Sequence, residues 1–233
     1  NAGVNGLFPL AMEGLVQSCM DSLAPGCIVT DVGSTKVEIV AGMKKIFRKS
    51  RAVFVGSHPI CGSDKTGIET ARQDLYKRAM VVVAMAGNAG GQDIAVVRKV
   101  RKFWETLGAV TAVMSPADHD RVIARTSHLP HVVAAVLVNT VCRKNGFETG
   151  LFCGTGFRDT TRIAGGSEEI WHDIFKSNGK SVSREINEFA KAMAKVSGMM
   201  NRGEYQGVRK FLSGSREQRR GLEVLWKKKG IGR

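Results

Sequence analysis

Several features that would assign this chain to a large protein class are missing. The 233 residues contain no apolar run near the roughly 18 that span a bilayer, since the run at residues 80–86 stops at Gly87. No cationic segment precedes an apolar one at the N-terminus, so no secretory signal is expected. The five cysteines are scattered without a C-x-x-C spacing, which argues against a disulfide framework or a thiolate zinc site. We therefore expect a cytoplasmic protein outside the membrane.

Acidic residues are few relative to basic ones. There are 35 Lys and Arg against 21 Asp and Glu, a net charge of +14, and the excess is larger in the C-terminal half. Such a surplus can mark a nucleic-acid surface, a field that attracts anionic small molecules, or a solvated basic segment. No nucleic-acid-binding motif and no interleaved aromatic residues accompany it. We expect no nucleic-acid partner, and a solvated face at residues 227–229.

Four short apolar runs rich in β-branched residues predict strands buried on both faces. They are residues 27–31, 52–55, 80–84 and 109–113. Segments of helical length, residues 36–49 and 92–107, separate the first two runs and the last two. This alternation predicts a parallel sheet.

The glycine fingerprint of a dinucleotide-binding domain is also absent. G-x-G-x-x-G should follow an opening strand, with an acidic residue about 20 positions later. Here the first convincing strand begins only at residue 27. The pattern resembles a nucleotide-binding domain entered part-way through, which predicts weak dinucleotide binding or none.

After residue 113 the sequence predicts helices only. Ser115 is a good N-cap, Pro116 suits the first helical position, and the carboxylate of Asp118 can bond back to the cap. This helix should extend to about residue 142, with a kink near Pro130.

Further serines predict later helix starts. Ser167 and Ser183 are candidate caps, and residues 204–229 form a helical pattern that breaks at residues 213–215. The fold class is therefore α/β followed by all-α. Residues 1–113 form the first domain and residues 114–233 the second.

Two polar, glycine-punctuated segments follow predicted strands. Residues 30–36 (TDVGSTK) enter a helix, and the spacing favours a helix cap for Ser34 over a ligand-facing hydroxyl. Residues 55–67 (VGSHPICGSDKTG) hold His58 and Asp64. His58 is either a general base at the ligand-binding end of the strand or a solvent-exposed loop histidine.

Two more groups lie in the helical half. Arg158 and Arg162 in GTGFRDTTR either clamp carboxylates through forked hydrogen bonds or serve as surface and helix-pairing residues. Ser127 and His131 share one face of the kinked helix and suggest a polar notch. Although His119 lies nearby in sequence, H-x-x-H without a carboxylate is a weak metal pattern, and we expect no metal.

With these segments in place, the sequence resembles the prephenate and arogenate dehydrogenases of tyrosine biosynthesis. TDVGSTK, FVGSHPICGSDKTG, SHLPH and GFRDTTRIAGGSEEIW occur in the family's order and at about its spacing. The similarity begins near Leu10 and fades in the basic tail. It implies a Rossmann-type domain, incomplete at its N-terminus, followed by a helical dimerisation domain. It also implies oxidative decarboxylation with hydride transfer to NAD or NADP.

The resemblance assigns roles to individual residues. His58 would accept the proton of the substrate's ring hydroxyl, and Ser34 would orient it. Arg162 would grip a substrate carboxylate. The other substrate-binding candidates are Arg158, His131, Ser127, Asp64 and Trp171. The cofactor-binding candidates are Asp31, Gly33, Ser34 and Pro59.

Two other hypotheses remain open. A related dehydrogenase of 3-hydroxy acids would use a lysine on the interdomain helix, and no lysine lies between Ser115 and Cys142. A non-catalytic dimeric module could keep the anion pocket alone.

A homodimer is expected because a helical half of about 120 residues would struggle to bury the apolar helix over residues 117–142 by itself. Prephenate versus arogenate and NAD versus NADP stay undecided.

Overall fold

The structure, a computed structural model, describes residues 9–61, 71–85, 91–143 and 146–232. Strands and helices of the first half are α1 (Pro9–Cys19), β1 (Ile28–Thr30), α2 (Val37–Ile46), β2 (Val53–Ile60), β3 (Met80–Ala84), α3 (Gly91–Thr106) and β4 (Val110–Met114). The second half contains α4 (Pro116–Ile123), α5 (Leu129–Cys142), α6 (Thr155–Thr161), α7 (Glu168–Asn201) and α8 (Tyr205–Lys229). The predicted class, α/β followed by all-α, is confirmed.

The four strands form one sheet in the order β1-β2-β3-β4, and that sheet is mixed. The β1–β2 and β3–β4 pairs are parallel, whereas β2 and β3 are antiparallel, with His58 opposite Val82. The prediction of a parallel sheet is therefore wrong at its centre. Parallel neighbours need a crossover, usually a helix, and the described part of the β2–β3 connection, residues 71–79, contains turns instead.

Helices cover both faces of the sheet. Helix α3 packs Val97, Val100 and Trp104 against one face, around Val81 and Val83 of β3. On the opposite face, Met12 of α1 packs with Ile39, Met43 and the neighbouring Phe47. Successive residues of a strand point to opposite faces, so strands between two helical layers must be apolar throughout. This layering explains why the strands could be recognised in the sequence.

The long interdomain helix begins as predicted. Ser115 accepts a hydrogen bond from the Asp118 amide at 3.0 Å and donates its hydroxyl to the Asp118 carboxylate at 2.7 Å. Where a kink was expected, the chain forms one π-helical turn, Ala124–His128, before α5 begins at Leu129. Such a turn lets the helix continue towards Pro130, which has no amide to donate.

Two predictions for the last helices are wrong. Ser183 caps nothing, because α7 runs for 34 residues from the Ser167 cap and is interrupted only by non-helical angles at Asn178. Helix α8 passes through residues 213–215 without a break. A serine or a glycine inside a helix costs about 1 kcal/mol or less relative to alanine, so neither by itself ends the helix. In the described ranges no helix is long and apolar enough to cross a membrane.

Candidate functional site

A cavity of about 520 Å³ lies between the two halves of the chain. The sheet side contributes Ser34, His58, Ile60 and Cys61, and the helical side contributes Ser127, His128, Arg162 and Trp171. The described lining is completed by Gly166, Ser167 and the isoleucines at positions 163, 170 and 174. A mostly apolar wall with a few convergent polar groups is typical of small-molecule sites.

The loop after β1 is held by a buried ion pair. Lys36, which is fully buried, donates its ammonium to Asp31, and the Gly33 amide donates to the same carboxylate at 2.8 Å. The other Asp31 oxygen accepts from the Ser57 amide at 2.9 Å. Asp31 therefore ties the loop carrying Ser34 to the strand carrying His58.

Burial at this ion pair lowers the pKa of Lys36, while the Asp31 carboxylate opposes the change. Gly33 has little room for a side chain, since a Cβ there would lie 2.6 Å from Ile39 and 2.9 Å from the carboxylate. The loop is therefore closely packed around Gly33 and the buried Asp31–Lys36 ion pair.

His58 lies on β2 beside a fully buried serine. The hydroxyl of Ser57 shares a 2.8 Å hydrogen bond with Thr30 and accepts one of 3.1 Å from the Trp104 indole. His58 itself is only 8% exposed although it borders the cavity. The strand that carries this histidine is therefore rigidly held on its interior side.

Burial lowers the pKa of the His58 imidazole well below 6.5, and interactions with His119, Lys36 and His128 act in the same direction. The ring is consequently neutral at neutral pH. A neutral imidazole has one nitrogen lone pair and can accept a proton. His58 is therefore not a solvent-exposed loop histidine, and its chemistry is compatible with the other interpretation, a general base.

Behind His58 lie two more buried polar residues. The His58 Nδ1 atom is 2.8 Å from Nε2 of His119, and His119 Nδ1 is 2.7 Å from the Asp120 carboxylate. Asp120 also accepts hydrogen bonds from the Lys36 and Val37 amides at 2.7 and 2.9 Å. These amides begin α2, so the carboxylate caps a helix of the other domain.

The π-helical turn carries Ser127 and His128 to the cavity wall. His128 is 1% exposed, and burial lowers its pKa to about 4. Its Nδ1 atom lies 3.4 Å from the Asn178 amide nitrogen, a donor only, which leaves the proton on Nε2. That Nε2 atom is buried without a hydrogen-bond partner among the residues described.

His131 does not line the cavity but supports a residue that does. Its ring stacks on Trp171 with centroids 3.6 Å apart and an interplanar angle of 13°. Burial lowers the pKa of His131, opposed by a hydrogen bond with the backbone of Ile163. The described contacts of His131 therefore position the indole of Trp171.

The two arginines differ in their relation to the cavity. Both side chains are exposed, but Arg162, in the 3₁₀ turn after α6, borders the cavity, whereas Arg158 on α6 lies outside the described lining. Pro59 is buried in β2 and also lies outside the lining. Asp64 falls outside the described residues.

Sequence patterns missed several residues of this site. Lys36 and Asp120 were not singled out, since each lies in a helix or next to one, where polar residues are commonplace. His119 and His128 were noted only as neighbours of the other histidines on the interdomain helix. The one available signal was the density of histidines over residues 119–131. Within the described part of the chain no cluster of histidine, cysteine or carboxylate ligands could hold a metal ion.

The two histidines in the cavity wall should make the stability of the fold depend on pH. His58 and His128 have lower pKa values in the folded state than the ordinary 6.5, so the unfolded chain binds protons that the native state does not. The free energy of unfolding should therefore be highest above pH 6.5 and fall as the pH drops towards 4, by about 1.4 kcal/mol per pH unit for each histidine. Urea denaturation at several pH values measures this slope.

Two matched variants test whether His128 causes part of this dependence of the unfolding free energy on pH. His128→Leu should reduce it, whereas replacing the exposed His172 by Gln should leave it unchanged. Equal slopes in both variants would contradict the burial of a neutral His128.

Comparisons with known proteins match this architecture. Residues 9–113 match the family model "Prephenate dehydrogenase, nucleotide-binding domain", and residues 115–214 match "Prephenate dehydrogenase, dimerization domain". Prephenate dehydrogenase of Bacillus subtilis is 30% identical over 86% of this chain and 53% of its own length. The Lactococcus lactis enzyme is 28% identical over 92% of this chain and 58% of its own length. The chain thus spans little more than half the length of these curated relatives.

Solved structures that are similar to this chain also belong to dehydrogenases of prephenate and arogenate. Prephenate dehydrogenase from Aquifex aeolicus, in complex with hydroxyphenyl propionate and NAD+, superposes with a TM-score of 0.81 at 31% identity, covering 92% of this chain and 74% of that one. Synechocystis arogenate dehydrogenase gives a TM-score of 0.74 at 26% identity over 90% and 74%. With both halves matched in order and the cavity between them, the chain belongs to the prephenate dehydrogenase family.

Proposed function

We propose that this chain provides the substrate site and the proton-accepting residue of a dehydrogenase that oxidatively decarboxylates prephenate or arogenate. The observation that carries the proposal is His58, a buried neutral imidazole in the wall of a cavity that Arg162 also borders. A base and a permanent cation facing one small cavity suit an alcohol that also carries a carboxylate.

The chemistry divides between the chain and a bound cofactor. In the chain, the lone pair of His58 takes the proton of the ring hydroxyl, while Ser34 lies on the same wall to orient that oxygen. The guanidinium of Arg162 holds a substrate carboxylate, and Ser127 and Trp171 limit the space around the ring. A nicotinamide dinucleotide, when bound, supplies the hydride acceptor.

The residues after β1 fit the nicotinamide end of such a cofactor. They lie at the carboxyl end of a strand, where ligands of open α/β sheets bind, and Ser34, next to Gly33 in the chain, is part of the cavity wall. Asp31 supports this loop, since both of its oxygens accept hydrogen bonds from the protein itself. The α2 N-terminus is not the place for a phosphate, because Asp120 already accepts from its first amides. We assign no residue to the discrimination between NAD and NADP.

Dimerisation through the helical half is part of the proposal. Apolar side chains stand exposed on α5, α7 and α8, among them Val136, Met193, Leu212 and Leu225 at 47% to 60%. Large apolar side chains left exposed on three helices favour association with a second copy. The matched family model is that of a dimerisation domain.

Substrate recognition by Arg162 is tested by calorimetric titration with prephenate and arogenate. Arg162→Ala should weaken binding of the preferred substrate by about 10- to 100-fold, the contribution of a charge-assisted, forked hydrogen bond. Arg162→Lys should lose part of it, because an ammonium group lacks the fork geometry.

Arg158→Ala is the matched control, with an affinity within about threefold of the unchanged chain, since Arg158 lies outside the described lining. Equal losses for the two arginines, or no binding of either substrate by a folded chain, would contradict the proposal. Binding of both a substrate and a nicotinamide dinucleotide without turnover would support instead a non-catalytic module that keeps the anion pocket.

A further inference from the structure

Three buried side chains form a continuous line away from the cavity. His58, His119 and Asp120 are 8%, 0% and 3% exposed, and consecutive polar atoms along the line are 2.8 and 2.7 Å apart. The His58 and His119 rings meet edge to face, with centroids 5.0 Å apart and an interplanar angle of 69°. Both hydrogen bonds are therefore short, direct and shielded from water.

The direction of these hydrogen bonds follows from Asp120. Each of its two carboxylate oxygens accepts a hydrogen bond from an α2 amide, so the 2.7 Å contact with His119 Nδ1 is one that the ring donates. With Nδ1 of His119 donating to Asp120, the Nδ1–H tautomer of His119 presents Nε2 to His58 as an acceptor. Only a protonated Nδ1 of His58 can donate to it.

We propose that His119, backed by Asp120, is a positioning residue that holds His58 in the Nδ1–H tautomer. The Nε2 lone pair of His58 is then the proton acceptor on the cavity side of the ring. The Asp120 charge stabilises the imidazolium that forms when His58 takes up a proton, as a buried carboxylate does behind a catalytic histidine. The catalytic part of this inference rests on the proposed function, whereas the tautomer does not.

Two substitutions of His119 test its hydrogen bond to His58 separately from its hydrogen bond to Asp120. Asparagine at position 119 can still donate to Asp120 from the place of Nδ1 but does not reach His58. Glutamine can place its carbonyl oxygen near the position of Nε2 and still accept from His58. In His119→Asn, His58 should therefore no longer be held in the Nδ1–H tautomer. In His119→Gln, His58 should stay in that tautomer.

The primary measurement is nitrogen NMR of histidine-labelled chain at neutral pH without substrate or cofactor, with His58→Asn identifying the resonances. We expect a protonated Nδ1 and an unprotonated Nε2 on His58, a shift towards Nε2–H in His119→Asn, and little change in His119→Gln. An Nε2–H form in the unchanged chain, or a His119→Asn spectrum identical to it, would overturn the inference. The spectrum of the unchanged chain decides the tautomer even if a variant fails to fold.

Kinetics provide the second measurement. His119→Asn should lower kcat about 10- to 100-fold, the usual effect of losing a residue that orients a functional group, with KM within about twofold. His119→Gln should recover much of that loss. If the tautomer is found but neither substrate binds, the proposed function fails and the positioning role stands; if both substrates react and kcat of His119→Asn is unchanged, the positioning role fails alone.

Discussion

Replacing His58 by asparagine is expected to lower kcat about 10²- to 10⁴-fold while KM changes little, because the variant loses proton transfer and keeps a polar side chain of similar size. Asparagine has no basic nitrogen, so the ring hydroxyl would have to release its proton to water. The assay uses the form of the protein that turns over and follows the reduced dinucleotide. His172→Asn, at an exposed histidine of α7, is the matched control.

The pH dependence provides an independent test of the same residue. Burial lowers the pKa of His58 well below 6.5, so kcat/KM should stay level as the pH falls to 6.5 and decline only below it. The decline should vanish in His58→Asn. A variant within twofold of the unchanged protein at all pH values would show that another group takes the proton.

Breaking the buried Asp31–Lys36 pair should have the largest effect on stability. Asp31→Asn leaves the Lys36 ammonium fully buried without its counter-ion, and Lys36→Met leaves the carboxylate buried without its cation. Each single change should reduce the free energy of unfolding by about 3–5 kcal/mol, whereas the double variant should be considerably less destabilised. Denaturant unfolding of all four forms gives the coupling energy.

An exposed pair serves as the control. Arg202 and Glu204 are 2.7 Å apart but 62% and 50% exposed, and removing either should cost less than about 1 kcal/mol. If the single variants at Asp31 and Lys36 lost no more unfolding free energy than those at Arg202 and Glu204, the prediction for the buried ion pair would be wrong. The measurement also bears on the site, since the Asp31 carboxylate connects the loop of Ser34 to the strand of His58.

The strands and most helices could be predicted because they depend on local patterns. Residues 80–84 match β3, since a strand buried on both faces has to be apolar throughout. The Ser115 cap was equally local, needing only its hydroxyl and the Asp118 amide. Helix α1 was missed, and the direction of β3 was wrong because a parallel connection was assumed for a segment that has turns in its described part.

Residue identities and short spacings by themselves predicted an α/β unit followed by helices, and they singled out His58 and Arg162 as candidates for a site. Their recognition needs only motifs contained in one loop or one helix start. Tertiary structure alone decided which residues meet. The interdomain contact brings Asp120 to the start of α2 and His119 to His58, across 83 and 61 positions of sequence. Of the two arginines of one motif, the fold brings Arg162 to the described cavity lining and not Arg158. Hydrogen bonding and desolvation act through space, so the pKa and the tautomer of His58 follow from neighbours that no sequence spacing reveals.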